Sequence, residues 1–278
     1  MQRRSRPLLL LHSDLQFHDR VRRAVGGRRE VVDLDGWEAL RSSLRTSPPG
    51  TVALVDPYVA DAEVLAPSLR DVLRDFRSAT VVAAYPFGAA QYGDLRTLGQ
   101  WGVAELVCIG KEDSRAALLR RLRALESRPV ERVLAGLVHR SLHARARALL
   151  AAAGETVATG GQTPEMAAAL ELTERTLLRW CARADLPPPR RLLAWLRVLL
   201  ACDLLDDPGH SLSSASRACG YAADMPLRRA IRNLVGLEPR ELRQAGALSS
   251  ATHMLAQELA ELRVQGRERR RAERSLVA

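Results

Sequence analysis

"ACGYAADMPLRRAIRNLVGLEP", residues 218–239, decides how the second half of the chain is read. Gly220 supplies a turn conformation that other residues resist. Asp224 is placed to cap a new helix, with Pro226 tolerated in its first turn. Leu227, Ile231 and Leu234 then recur at helical spacing as an inward face, while Arg228, Arg229 and Arg232 fall outside it. In front stands "LSSASRA" (212–218), a short helix. A helix, a glycine turn and a second helix with a basic outer surface make a helix-turn-helix unit. Its aliphatics seat the second helix on a scaffold, and its arginines suit phosphates and base edges in a major groove.

The same shape appears earlier, in "TPEMAAALELTERTLLRWCARADL" (163–186). A helix over 164–170 is followed by a turn at Glu171-Leu172 and by Thr173 as the cap of a second helix. That helix turns Leu177 and Cys181 inward, and Arg175, Arg179 and Arg183 share one exposed stripe. Between the two units runs "PRRLLAWLRVLLACDLL" (189–205), an apolar helix long enough to serve as a rigid spacer.

These residues resemble the C-terminal DNA-binding domain of AraC/XylS-type transcription regulators, over about 163–243. The first-unit pattern appears as "MAAALELTERTLLRWC". The connector pattern falls on Pro189, Leu193, Arg197, Ala201, Leu204 and Leu205. The second-unit pattern falls on Gly220, Tyr221, Leu227, Arg229, Ile231, Gly236, Pro239 and Arg243. Spacing holds without gaps from Pro189 to Arg243. The chain departs from the family at Cys181, Leu227 and Ile231, which occupy aromatic seats, at Leu186, where a glycine is usual, and at Ser216, where alanine is usual. The resemblance implies that the two recognition helices enter adjacent major-groove segments. It assigns base-side contacts to Arg175, Thr176, Leu178 and Arg179 in the first unit, and to Asp224, Met225, Arg228 and Arg229 in the second. Arg183 and Arg232, further along their helices, suit phosphates, which add affinity and salt dependence but no specificity. The plain alternative for each arginine is a solvated helix face; two stripes in two matched units weigh against it.

The first 125 residues alternate strands and helices. Apolar runs at 7–11, 29–35, 51–56, 79–85 and 104–109 read as strands. Helical patterns at 14–25, 37–45, 62–77, 89–102 and 114–125 follow them. Fully apolar strands alternating with helices imply a five-stranded parallel sheet covered on both faces. Order and length resemble a response-regulator receiver domain, a flavodoxin-like α/β fold. The resemblance places Asp56, at the end of the third strand, where that family carries its phosphoacceptor. Phosphotransfer there needs Mg²⁺ held by an acidic pair, but His12 and Ser13 stand at those places, with Asp14 one step late. Ala84 replaces the expected hydroxyl residue, and the expected lysine aligns near Ile109, with Lys111 two residues on. The expectation is a receiver-like scaffold without phosphotransfer, in which Asp56 caps or pairs locally.

Composition sets bounds on the rest. The net charge is +10 and the pI about 10.5, the electrostatic footprint of a polyanion binder. Both halves are mildly basic, and Lys111 is the one lysine among 42 basic residues. Cys108, Cys181, Cys202 and Cys219 are scattered without a CxxC, which predicts buried thiols and a reducing cytoplasm. "PLLLL" is too short for a signal core or a membrane span. His139 and His143 share a helix face without a third ligand, so no metal is expected. Gly26-Gly27 and Gly160-Gly161 lack phosphate-loop context, and no cofactor is expected.

The chain therefore reads as residues 1–125 receiver-like, 126–160 helical linker, 161–246 DNA-binding domain, and 247–278 a C-terminal helix (248–264) with a basic tail, "RERRRAER" (267–274). The expected protein is a cytoplasmic bacterial transcription regulator and not an enzyme. Its partner is double-stranded DNA, with RNA polymerase and a second copy of the chain as further partners and no membrane. Two rivals are a protein-interaction adaptor that no longer binds DNA, and a response regulator phosphorylated on Asp56.

Overall fold

The computed structural model describes residues 6–59, 64–86, 88, 92–135 and 144–277. They fall into two compact units. One is an α/β unit of the described residues up to Pro129 together with Asp207–Ala218, and the other is a helical unit of Val130–Asp206 and the residues from Cys219 onward.

The α/β unit alternates β1 (Leu8–Leu11), α1 (Leu15–Val25), β2 (Val31–Asp33), α2 (Trp37–Thr46), β3 (Val52–Val55), α3 (Pro67–Asp75), β4 (Thr80–Tyr85), α4 (Tyr92–Trp101), β5 (Glu105–Cys108) and α5 (Arg115–Glu126). All strand pairs are parallel, in the order β2-β1-β3-β4-β5, one of the two common doubly wound arrangements. Side chains alternate across a strand, so the sheet feeds two cores. Leu9, Leu11, Ala53, Val55, Val81 and Ala83 pack against Leu40, Leu69, Val72 and Leu98 of α2, α3 and α4. Leu8, Leu10, Val52, Leu54, Val82 and Val107 pack against Phe17, Val21, Leu118 and Leu122 of α1 and α5. Burial on both faces is why β1 and β3 are apolar throughout.

The remaining helices are α6 (Arg128–Ala135), α7 (Ala144–Ala158), α8 (Thr163–Ala169), α9 (Glu174–Arg183), α10 (Pro189–Leu205), α11 (Leu212–Ala218), α12 (Asp224–Val235), α13 (Pro239–Gln244) and α14 (Ala247–Val277). Three differ from the sequence expectation. α7 continues to Ala158, through the start of "GETVATGGQT" (154–163), a stretch whose small residues predict a loop; Gly154 is absorbed in the helix interior. α14 runs to Val277 and takes the basic tail into the helix, as its Arg, Glu and Ala content favours. α11 packs against α2 and belongs by its contacts to the α/β unit. There the buried Asp207 accepts the Ser78 N–H at 3.0 Å and the Ser78 hydroxyl. Gly209 donates to the Asp75 carbonyl at 2.8 Å, and a Cβ on Gly209 would lie 2.5 Å from the Phe76 ring.

In the helical unit α10 is the central strut, packing against α7, α8, α9, α12 and α14. It is buried around most of its circumference, Trp195 included. The Trp195 indole donates to Glu258 at 2.7 Å, and Arg191 holds the same carboxylate through two bonds of 2.6 and 2.8 Å. Leu255 and Leu259 of α14 are buried against the unit. Among the described residues, no helix is long and apolar enough to cross a membrane. His139 and His143 lie outside the described residues.

Candidate nucleic-acid interface

The first recognition helix, α9, begins at Thr173, whose hydroxyl oxygen accepts the Thr176 N–H at 3.2 Å. The Thr173 hydroxyl donates in turn to Thr176 Oγ1 at 3.0 Å, which leaves the half-buried Thr176 its own O–H as donor. Leu177 and Cys181 are fully buried beneath the helix, and burial pushes the Cys181 thiol up to about 11. Arg175, Arg179 and Arg183 are exposed. Leu178 is 50% exposed among them, an apolar group in the open of the kind that meets a thymine methyl. The turn before α9 is made by Glu171 with φ 55°, a left-handed conformation that disfavours a side chain.

The second recognition helix, α12, is entered through Gly220 with φ 82°. Its cap is Ala223, which is extended and makes no side-chain cap. Asp224, expected as the cap, sits one residue inside, where its charge suits the positive end of the helix dipole. The buried face is Leu227, Ile231 and Val235. The expected Leu234 is half-buried, because i, i+4, i+8 holds the helix floor more closely here than i+7. Met225 is 59% exposed, like Leu178 on the partner helix.

The arginines of α12 are not equivalent. Arg228 donates to Glu238 Oε2 at 3.2 Å, and Arg232 donates to Glu238 Oε1 through Nε at 2.7 Å and through Nη2. The Arg232 hydrogen bond, followed by Arg228, holds the exposed Glu238 carboxyl below its usual range. Arg229 points elsewhere, into an open cleft of about 690 Å³. Met225 and Asn233 of α12 and Arg190 and Arg191 of α10 share that cleft. The sequence reading passed over Arg190 and Glu238. The "PRR" opening α10 was a signal for Arg190, but helical spacing gave none for Glu238.

The strand ends of the α/β unit are tied internally. Asp56 Oδ2 accepts the Ser13 hydroxyl at 3.0 Å, and Oδ1 accepts the Tyr58 N–H at 2.9 Å. His12 Nδ1 accepts the Asp14 N–H at 2.9 Å, so Nε2 carries the proton and donates to the Ala84 carbonyl at 3.0 Å. Burial holds the His12 pKa down against the opposing charge of Asp56. The Tyr58 hydroxyl donates to Asp94 at 2.6 Å, and burial, then this bond, raises its pKa. Among the described residues, no group of three or more His, Cys, Asp or Glu is placed to hold a metal.

Residues 166–245 match the family model of a helix-turn-helix domain, from Met166 in α8 to Ala245 just past α13. No curated protein matches the chain, and no solved structure does. The match takes in both units and the strut between them, so this part of the chain carries a helix-turn-helix domain.

Proposed function

We propose that the protein is a sequence-specific DNA-binding transcription regulator that works by reversible binding and carries out no reaction. The observation that carries this is that α9 and α12 both pack on the strut α10 and both turn arginines outward. A shared brace fixes the spacing of the two recognition helices, which a duplex with two reading segments requires. Arg175, Arg179 and Arg229 are the guanine-reading candidates, with Leu178 and Met225 for thymine methyls. Arg183 and Arg232 suit phosphates, and Arg228, a base-side contact by resemblance, joins them here because it shares the Glu238 carboxylate with Arg232. Thr176 and Asp224 complete the first turns of the two helices. A regulator of this kind acts in the cytoplasm, where the chromosome is, and RNA polymerase and a second copy of the chain are its natural protein partners.

The α/β unit supplies regulation or dimerisation without phosphotransfer. Supporting this, Asp56 already holds the Ser13 hydroxyl and the Tyr58 N–H, and among the described residues no acidic cluster stands beside it to bring Mg²⁺. Incubation with acetyl phosphate and Mg²⁺ should leave the intact mass unchanged; an adduct lost in Asp56→Asn would make the protein a phosphorylated regulator instead.

Selection of duplexes from a random pool, followed by a salt titration of the winners, tests the main reading. Enriched sequences and a steep fall of affinity with salt are expected. A pool that stays random, with no salt-sensitive binding, would favour the adaptor.

A further inference from the structure

Glu238 follows the left-handed Gly236 that ends α12 and opens α13 as its cap residue. The turn folds its side chain back along α12, where each carboxylate oxygen takes a different arginine: Oε2 that of Arg228, Oε1 that of Arg232. Its own N–H is satisfied by Glu241 Oε2 at 3.0 Å. Two acceptor oxygens on one anionic centre, bridging two guanidinium groups on a recognition helix, is also what a backbone phosphate offers.

We infer that Glu238 is an internal stand-in for a DNA phosphate. It occupies Arg228 and Arg232 in the free protein and is displaced when the sugar-phosphate backbone arrives. The pairs are exposed, with side-chain exposures of 37% for Glu238 and 60% for Arg232. Such pairs are weak and salt-screened, so a polyanion exchanges for them readily. Arg229, directed into the cleft, has no carboxylate within 4.0 Å among the described residues. The device therefore taxes phosphate binding on any duplex and spares base reading.

This inference rests on the DNA-binding reading, and the test separates the two. The full chain, its Glu238→Gln variant and its Glu238→Ser variant (serine being a good helix cap) are titrated with a random duplex and a selected duplex over a salt series. Both variants should bind random duplex on the order of tenfold more tightly at low salt. Their log-affinity against log-salt lines should steepen by about one unit, as for one more phosphate neutralised. The gain on the selected duplex should be no larger. Wild-type binding with no gain in either variant, or a loss on both duplexes, would overturn the stand-in and leave DNA binding intact. No binding by any of the three proteins would overturn both.

Discussion

The guanidinium of Arg243 in α13 donates to the main-chain carbonyl of Leu205 at 2.7 Å, closing one of the carbonyls that the end of α10 leaves without a helical partner. The next residue extends the tie: Asp206 accepts the N–H groups of Ala247 and Leu248 at 2.6 and 2.9 Å. The strut is thus fastened at its C-terminal end to the two helices that follow α12. A hydrogen bond from a charged donor to a covered carbonyl is worth about 1.5 kcal/mol. Arg243→Ala should lower unfolding stability by that amount in a urea titration, with the slope of the transition unchanged.

Glu171 makes the turn of the first helix-turn-helix unit at φ 55°, where a side chain is disfavoured and glycine is at ease. Glu171→Gly should raise stability by about 0.5–1 kcal/mol, since relief of the turn outweighs the added freedom of the unfolded chain. A higher thermal midpoint checks it; a lower one would mean that the carboxylate has a partner worth more than the strain.

Asp75 is held below the usual carboxylate range, first by the hydrogen bond from Arg41 and, after burial's opposing effect, by Arg74. A depressed folded pKa means that the ionised form favours the fold. The contribution is complete above the unfolded-state pKa and is lost as pH falls through the folded value. Wild type should therefore exceed Asp75→Asn by about 1 kcal/mol at neutral pH, and the gap should close in acid below the ordinary aspartate range. Urea midpoints for both proteins over an acid series measure it; a gap independent of pH would assign the loss to packing.

Much of this was legible in the sequence because it is periodic. Apolar runs separated by helical patterns could bury both strand faces only in a covered parallel sheet, and β1, β3 and β4 are built so. The two arginine stripes and the buried Leu177, Cys181, Leu227 and Ile231 followed from helical spacing and a resemblance. What stayed hidden lies across turns. Glu238 is ten residues from Arg228 and reaches it only because Gly236 reverses the chain. Asp207 meets Ser78 across 129 residues, a pairing that no local pattern encodes. Val235 in place of Leu234, and the continuation of α14 to Val277, are errors of phase and length, where helical period alone is least decisive.

The proposed function requires that outward arginines on both α9 and α12 grip DNA. Arg179→Ala, Arg229→Ala and the double variant, each checked for an unchanged thermal midpoint, are titrated against a selected duplex by fluorescence anisotropy at fixed salt. Each arginine that reads a guanine is worth roughly 1–3 kcal/mol. Each single variant should then weaken binding about tenfold or more, and the double by roughly the product. Affinity unchanged in the folded double variant would contradict the account.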